Sequence, residues 1–321
     1  LKRNPTYWGG VEPWEKVTFK PLTNDSARVA ALLAGDVDLI EVIPSADLER
    51  IKRTASLSMF QVVSNRVMYL HMDSNRDASP FITGVTGKNP LKDVRVRHAI
   101  SLAVNRQAIV DRVMEGLAIP ANQLLPQGFF GYNPSLPPAK YDPDGSKKLL
   151  AEAGYPSGFG VTLHTPNNRY PNDEKIAQAI AQMLSRVGIA TKVDAMPANV
   201  FFSRGTNLEF SFLLAGWGSG TGEVSSPLRA LLATYNKETG MGPTNRGRYS
   251  NPKMDAVLKE ALETVDDAKR EKLLQDAVKL AMEGYGIIPI HYNINTWASK
   301  KELTYVPRTD EYTLAMSTRR K

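Results

Sequence analysis

The chain has 321 residues, 42% of them hydrophobic, 23% charged and 8% aromatic, with a net charge of +7 from 40 Lys and Arg against 33 Asp and Glu. It contains no cysteine, which excludes a disulfide framework, a thiolate zinc site and a cysteine nucleophile. No apolar run approaches the roughly 18 residues that cross a bilayer, and the basic charge is dispersed rather than gathered into a stripe with aromatics, so nucleic acid is not an expected partner.

Taken in chain order, residues 17–20 alternate as a strand does. Asp25 or Ser26 caps a helix that stops at Gly35. A strand restarts at 36–40, a second helix opens at Ser45, and strands follow at 58–63 and 67–72. The Gly-, Pro- and Asn-rich stretch 76–92 reads as a connection. One amphipathic helix is predicted over 93–115, its stripe including Val96, Ile100, Ala103 and Val110, with Gly116 as its stop. The proline-rich stretch 120–143 is irregular and leads to a helix over 143–153, ended by Gly154 with Pro156 beyond. A strand at 161–164, a polar loop at 166–173, a helix at 174–187 and a strand at 190–195 follow. The continuous apolar run 210–215 suits a buried strand. It leads into a glycine-rich loop, 216–226, and a helical stretch, 227–235. After the loop 236–252 come helices at 252–265 and 267–283, a strand at 287–292, and a returning segment at 304–306. Strands alternating with helices indicate an α/β or α+β class. No period of 20 to 50 residues suggests a repeat.

Five segments in this order resemble the family-5 extracellular solute-binding proteins, the dipeptide, oligopeptide and nickel-binding group of bacterial ABC importers. They are NPTYWGG at 4–10, PLKDVRVRHAISLAVNRQAIV at 90–110, YDPDGSKKLLAEAGY at 141–155, GRYSNPKMDAVLKEA at 247–261 and GIIPIHYNINTWASKK at 286–301. The resemblance implies an α/β, bilobal architecture of the periplasmic-binding-protein type II kind, with ligand enclosed between lobes. It places crossings near Asp73–Ser74 and near Trp297, so that residues 1–73 and 298–321 belong to the first lobe and 74–297 form the second. The opening LKRNPTYWGG reads as the inside of a domain, and the first lobe is expected to be incomplete in this chain. The implied role is that of a monomeric, non-enzymatic substrate-binding component. It would capture a small peptide or peptide-like solute in the periplasm, or on a lipid anchor outside a cell without an outer membrane, and deliver it to an ABC permease. No cofactor is expected.

The segment AGWGSGTGE at 215–223 follows a buried strand, where open α/β sheets hold ligands. Trp217 offers a flat apolar wall, and Gly218 and Ser219 let backbone amides approach a ligand. In the peptide-binding relatives the matching tryptophan lies in the cleft, and an aspartate three residues later pairs with the peptide α-ammonium. Here that position is Gly220, and Glu223 is the next carboxylate. A simple free-amino dipeptide is therefore expected to bind poorly or to rely on Glu223. The competing reading makes Trp217 a core aromatic.

Asn168, Arg169 and Tyr170 lie in the polar loop before the third long helix, with amide and guanidinium donors for a carboxylate. Turn chemistry with Asp173 as a helix cap is the alternative. Phe202 with Arg204, and Asn245 with Arg248, add aromatic, amide and cationic groups; solvated arginines are the plainer reading. Asn65, Arg66 and Tyr69 precede the first crossing, where a hinge-side contact or a core role for Tyr69 both fit. The histidines at 71, 98, 164 and 291 have no metal-ligand spacing, and no metal is expected. No GxSxG, HExxH, P-loop or GxGxxG is present, so no catalytic residue is assigned. A secreted hydrolase of peptide-like substrates is the alternative function, since catalytic residues can converge from distant positions.

Overall fold

The computed structural model describes residues 1–321. Helix α1 (Asp25–Ala34) is capped by the Asn24 side chain, which accepts from the Ala27 amide, and it ends at Gly35 with a left-handed φ of 84°. Strand β1 (Leu39–Glu41), helix α2 (Leu48–Arg53) and the long strand β2 (Leu57–Met72) follow, then the short β3 (Ile82–Thr83). Helices α3 (Val94–Ala103) and α4 (Arg106–Arg112) precede β4 (Ala118–Pro120) and α5 (Pro143–Glu152). Next come β5 (Phe159–Pro166), α6 (Asp173–Arg186), β6 (Ile189–Met196), α7 (Ala198–Thr206) and β7 (Phe212–Gly218). A single turn, α8 (Ser225–Pro227), runs into a π-helical turn at Leu228–Leu232. Helices α9 (Pro252–Glu263) and α10 (Asp267–Glu283) lead to β8 (Ile287–Lys300), and β9 (Leu303–Tyr305) and β10 (Thr318–Arg320) close the chain.

The chain divides into two compact units, residues 1–64 with 294–321, and residues 65–293. In the first unit β1 pairs antiparallel with the end of β8, Leu39 opposite Ser299, and β9 pairs with β10. Trp297 is buried there, and its indole N–H donates to Thr313 Oγ1 at 2.8 Å. In the second unit β5 is flanked by β6 and β7 and runs parallel to both, while β2 lies antiparallel to β7. Helix α6 is the crossover from β5 to β6. Its Ile176, Ala177, Ile180 and Leu184 are buried in one core with Leu163, Ile189, Phe212, Leu214, Ile288 and Ile290. No helix is long and apolar enough to cross a membrane.

Several sequence expectations change. Residues 17–20 form no strand, because alternation needs a neighbouring ladder and only an isolated bridge from Lys16 to Lys2 forms beside them. The segments 58–63 and 67–72 belong to one strand of 16 residues. The helix expected over 93–115 is two helices: Val104 is extended, and the Asn105 side chain caps α4 by accepting from the Ala108 amide. Residues 198–206, left without a helix by the sequence, form α7. The 227–235 stretch winds as a π-turn rather than a regular helix.

His71 and His291 are fully buried on β2 and β8. Burial holds their imidazoles neutral, His71 down to about 3 with Arg246 adding to the effect, and His291 down to about 4. The unfolded chain binds these protons near pH 6.5, so between that value and the folded pKa the unfolded state holds more protons. Stability is therefore complete above about pH 6.5 and falls as the pH drops from there towards 4. Urea unfolding across this range is expected to show the loss, and a flat profile from pH 7 to 4.5 would contradict it.

Candidate functional site

The parallel strands β5, β6 and β7 bring their carboxyl ends to one edge of the second unit, where open α/β sheets leave loops free to meet a ligand. Three connections leave this edge: residues 167–172 after β5, Pro197 into α7, and residues 219–224 after β7. Because β2 is antiparallel to β7, Arg66 reaches the same edge opposite Gly218, and Val67 stands opposite Trp217. Trp217 and Gly218, expected in a loop, are thus strand residues.

The pleat sorts these side chains onto two faces. Gly216 and Gly218 share a face with Met68 and Arg66. A Cβ on Gly216 would come within 2.6 Å of the Met68 sulfur and 2.9 Å of the Tyr170 ring, and one on Gly218 within 3.1 Å of the Arg66 guanidinium. The two glycines therefore let Tyr170 and Arg66 lie flat on β7. The Tyr170 hydroxyl donates to the Gly216 carbonyl at 3.1 Å. The guanidinium carbons of Arg66 and Arg169 sit 5.5 and 5.0 Å from the centre of its ring. Trp217 stands on the other face, partly exposed, with its indole N–H 3.4 Å from Ser226 Oγ.

The loop 167–172 is held from within. Buried Asp173 accepts from the amides of Arg169, Tyr170 and Glu174, each at 3.0 Å. Burial raises its carboxyl pKa while these bonds oppose the rise. Asn168 Oδ1 accepts from the Ala198 amide at 2.8 Å, satisfying the first turn of α7 from a distance. Asn168 and Arg169 are otherwise exposed at the edge.

The loop 219–224 is also tied down. Ser219 is buried; its amide donates to the Asn65 carbonyl at 3.3 Å, its carbonyl accepts from Asn65 Nδ2 at 2.6 Å, and its hydroxyl donates to the Glu223 carbonyl at 2.9 Å. The Glu223 carboxylate is ion-paired with Arg270 of α10 at 2.5 Å, both largely buried. At the tip, Gly220 is exposed, and nothing lies within 4 Å of a Cβ built on it.

The remaining candidates are placed elsewhere. Tyr69 is 1% exposed in mid-sheet opposite Ala215, and burial pushes its phenol well above the ordinary range. Asn245 and Arg248 lie at the Met72 end of β2, where the Gly247 amide donates to His71 Nε2 at 3.2 Å and the Gly247 carbonyl accepts from the Ser74 amide at 2.8 Å. Six residues along β2 separate that end from Arg66, about 20 Å at the usual rise. Asn245 is buried and Arg248 lies over the Tyr235 ring at 3.9 Å. Arg204 pairs with Glu209 at 2.8 Å and Asp194 at 3.8 Å and lies over Phe210. Phe202 packs edge-on against Phe201.

Sequence reading missed Ser226, Arg270 and Phe130, whose carbonyl accepts from the Val224 amide at 3.1 Å. An arginine on a polar helical face gives no sequence signal of a distant carboxylate partner. No group of three or more His, Asp or Glu side chains is placed to hold a metal ion.

The family model for bacterial extracellular solute-binding proteins, family 5 (middle), matches residues 1–239. Glutathione-binding protein GsiB of Salmonella paratyphi A is 30% identical over 315 residues, which cover 95% of this chain and 57% of that protein. Heme-binding protein A of Haemophilus influenzae is 28% identical over 294 residues, 90% of this chain and 50% of its own length. The chain thus spans little more than half the length of these relatives. Among solved structures, HbpA2 of Haemophilus parasuis matches all of this chain and 61% of its own with a TM-score of 0.80 and 27% identity. The periplasmic binding protein DppA of Helicobacter pylori, in complex with the peptide STSA, matches 99% of this chain and 60% of its own with a TM-score of 0.82 and 22% identity, a likeness of fold. The chain belongs to the bacterial extracellular solute-binding proteins of family 5.

Proposed function

We propose that this chain is part of the substrate-binding component of an ABC importer, which captures a small peptide or peptide-like solute reversibly and passes it to a membrane permease. The observation that carries this reading is the edge itself. A partly exposed tryptophan, an exposed carboxamide and guanidinium at Asn168 and Arg169, and an open glycine tip at Gly220 share the carboxyl ends of parallel strands. Trp217 supplies apolar wall area, and Asn168 and Arg169 orient polar groups of the ligand. Arg169 suits a carboxylate, which a planar guanidinium grips with two hydrogen bonds. The relatives named for glutathione and solved with the peptide STSA support a peptide-like solute. In this reading the two compact units are the two lobes, and the protein works as a monomer outside the cytoplasm.

We read the chain as a binder rather than a hydrolase. The strand histidines are engaged in the sheet: His71 accepts from the Gly247 amide, His291 faces Asn293 Oδ1 at 3.1 Å, and His164 Nδ1 lies 3.3 Å from the Phe212 carbonyl. Calorimetric titration with a panel of di- to tetrapeptides, with mass spectrometry of the same mixtures, separates the two. Saturable binding without cleavage is expected, and turnover would refute the reading.

The tip makes a sharper prediction. A carboxylate at Gly220 would enter open space, so Gly220→Asp is expected to raise affinity for a free-amino dipeptide about 2- to 5-fold, the value of one exposed charge pair. An N-acetylated dipeptide should gain nothing. Because Glu223 is committed to Arg270, Glu223→Gln should lower stability by about 1 kcal/mol and leave dipeptide affinity within about twofold. An equal gain for the acetylated peptide in Gly220→Asp, or a large affinity loss in Glu223→Gln, would contradict this assignment.

A further inference from the structure

The far end of β2 carries a second concentration of charge, separate from the edge proposed for the solute. The loop 244–249 is a rigid mount for it. Buried Asn245 donates to the Ala233 and Tyr249 carbonyls at 2.9 and 2.8 Å and accepts from the Tyr249 amide at 3.0 Å. Gly247 is pressed against β2, where an added Cβ would lie 2.0 Å from the Met72 carbonyl. Arg246 and Arg248 flank this contact.

Neither arginine has a carboxylate partner. The Arg246 guanidinium lies over the Phe202 ring at 5.6 Å and that of Arg248 over the Tyr235 ring at 3.9 Å. The Nε of Arg246 is buried and has no hydrogen-bond acceptor, an arrangement that costs free energy unless something supplies one. A cavity of about 210 Å³ opens beside them, lined also by Asp73, Asn75, Arg76 and Asn207. Arg76 is held in place by its ion pair with Asp73 and by donating to the Leu208 and Phe210 carbonyls at 3.0 and 2.8 Å. Three arginines less one aspartate leave the lining at a formal charge of +2. The cavity is smaller than the roughly 300 Å³ at which organic ligand pockets begin.

We propose that this cavity binds a small divalent oxyanion of the phosphate type, gripped by Arg246 and Arg248 and flanked by the carboxamides of Asn75 and Asn207. The charge of the lining matches a dianion better than a monocarboxylate. Guanidinium groups give an oxyanion the paired, charge-assisted hydrogen bonds that the aromatic rings now covering them cannot. The site lies about 20 Å along β2 from the Trp217 edge, so it does not depend on the solute-binding reading.

The test is calorimetric titration of the chain with inorganic phosphate, in a phosphate-free buffer at constant ionic strength, with acetate as the monovalent comparison. Phosphate is expected to bind saturably and at least about tenfold more tightly than acetate. Arg246→Gln and Arg248→Gln should each weaken phosphate binding about tenfold, the value of one lost charge-assisted hydrogen bond. Asn207→Asp should weaken it similarly by adding a negative charge at an exposed position, with an unchanged melting curve in the absence of phosphate. Arg169→Gln, at the other end of the strands, should leave it unchanged. The proposal is overturned if no saturable binding appears up to about 10 mM phosphate. It is overturned equally if both arginine variants keep wild-type affinity, or if Arg169→Gln is the variant that loses it.

Discussion

Arg106→Ala is expected to destabilise the 65–293 unit by about 3–5 kcal/mol, the range for removing a buried, fully bonded charged side chain and leaving its partners behind. Arg106 is 5% exposed at the start of α4. Its Nε donates to the Pro289 carbonyl at 2.7 Å, and its guanidinium also reaches the Ser101 carbonyl at 3.1 Å, the Val104 carbonyl at 3.4 Å and Ser101 Oγ at 3.1 Å. Burial lowers its pKa to about 10, so the group stays charged at neutral pH. One side chain therefore satisfies the carbonyls freed where α3 stops and ties them to β8. Alanine would strand those acceptors in the core and open a cavity. Lysine carries the charge without the planar fork, so Arg106→Lys should recover only part of the loss. Urea unfolding followed by circular dichroism measures both variants; a loss below about 1 kcal/mol for Arg106→Ala would show that the carbonyls find other partners.

Trp217→Ala is expected to weaken binding of the peptide that binds best in the panel by about 30- to 100-fold, or about 2–3 kcal/mol, as for a central aromatic anchor. The indole is only partly buried at the end of β7 and is held by a long contact to Ser226. Most of its effect should thus appear in affinity, with about 1 kcal/mol or less in stability from lost packing. Trp217→Phe should restore part of the affinity because a ring remains. A variant that binds peptide as wild type does, or that loses its fold and its binding together, would mark Trp217 as a core residue.

Much of the scaffold was legible because local signals and tertiary packing agree. Helix α6, read over 174–187, runs Asp173–Arg186, and α10, read over 267–283, runs Asp267–Glu283 behind Asp266, whose side chain accepts from the Lys269 amide. Where a cap competes with periodicity, the pattern misleads. The apolar stripe runs on through Val104, yet Asn105 starts a new helix there.

The candidate site was legible only in part. Trp217, Asn168, Arg169 and Tyr170 gather at one edge because Trp217 ends a strand and the other three follow one parallel to it. The pleat then sets Trp217 and Tyr170 on opposite faces of β7, a register that only the pairing with β2 reveals. The segment 90–110, which carries much of the family resemblance, holds two buried arginines, Arg97 and Arg106. Arg97 donates to the Leu91, Lys92 and Gly284 carbonyls, and Arg106 to the Ser101, Val104 and Pro289 carbonyls, so both arginines are structural.

Hydrogen–deuterium exchange of the chain, with and without a saturating di- to tetrapeptide from the panel, tests whether peptide binds at the carboxyl edge of the parallel strands. New protection is expected in residues 65–67, 167–172 and 216–224, the segments that meet at the carboxyl ends of β5 and β7, with residues 244–249 unchanged. Protection confined to 244–249, or no change at the edge while the peptide remains bound, would contradict binding there.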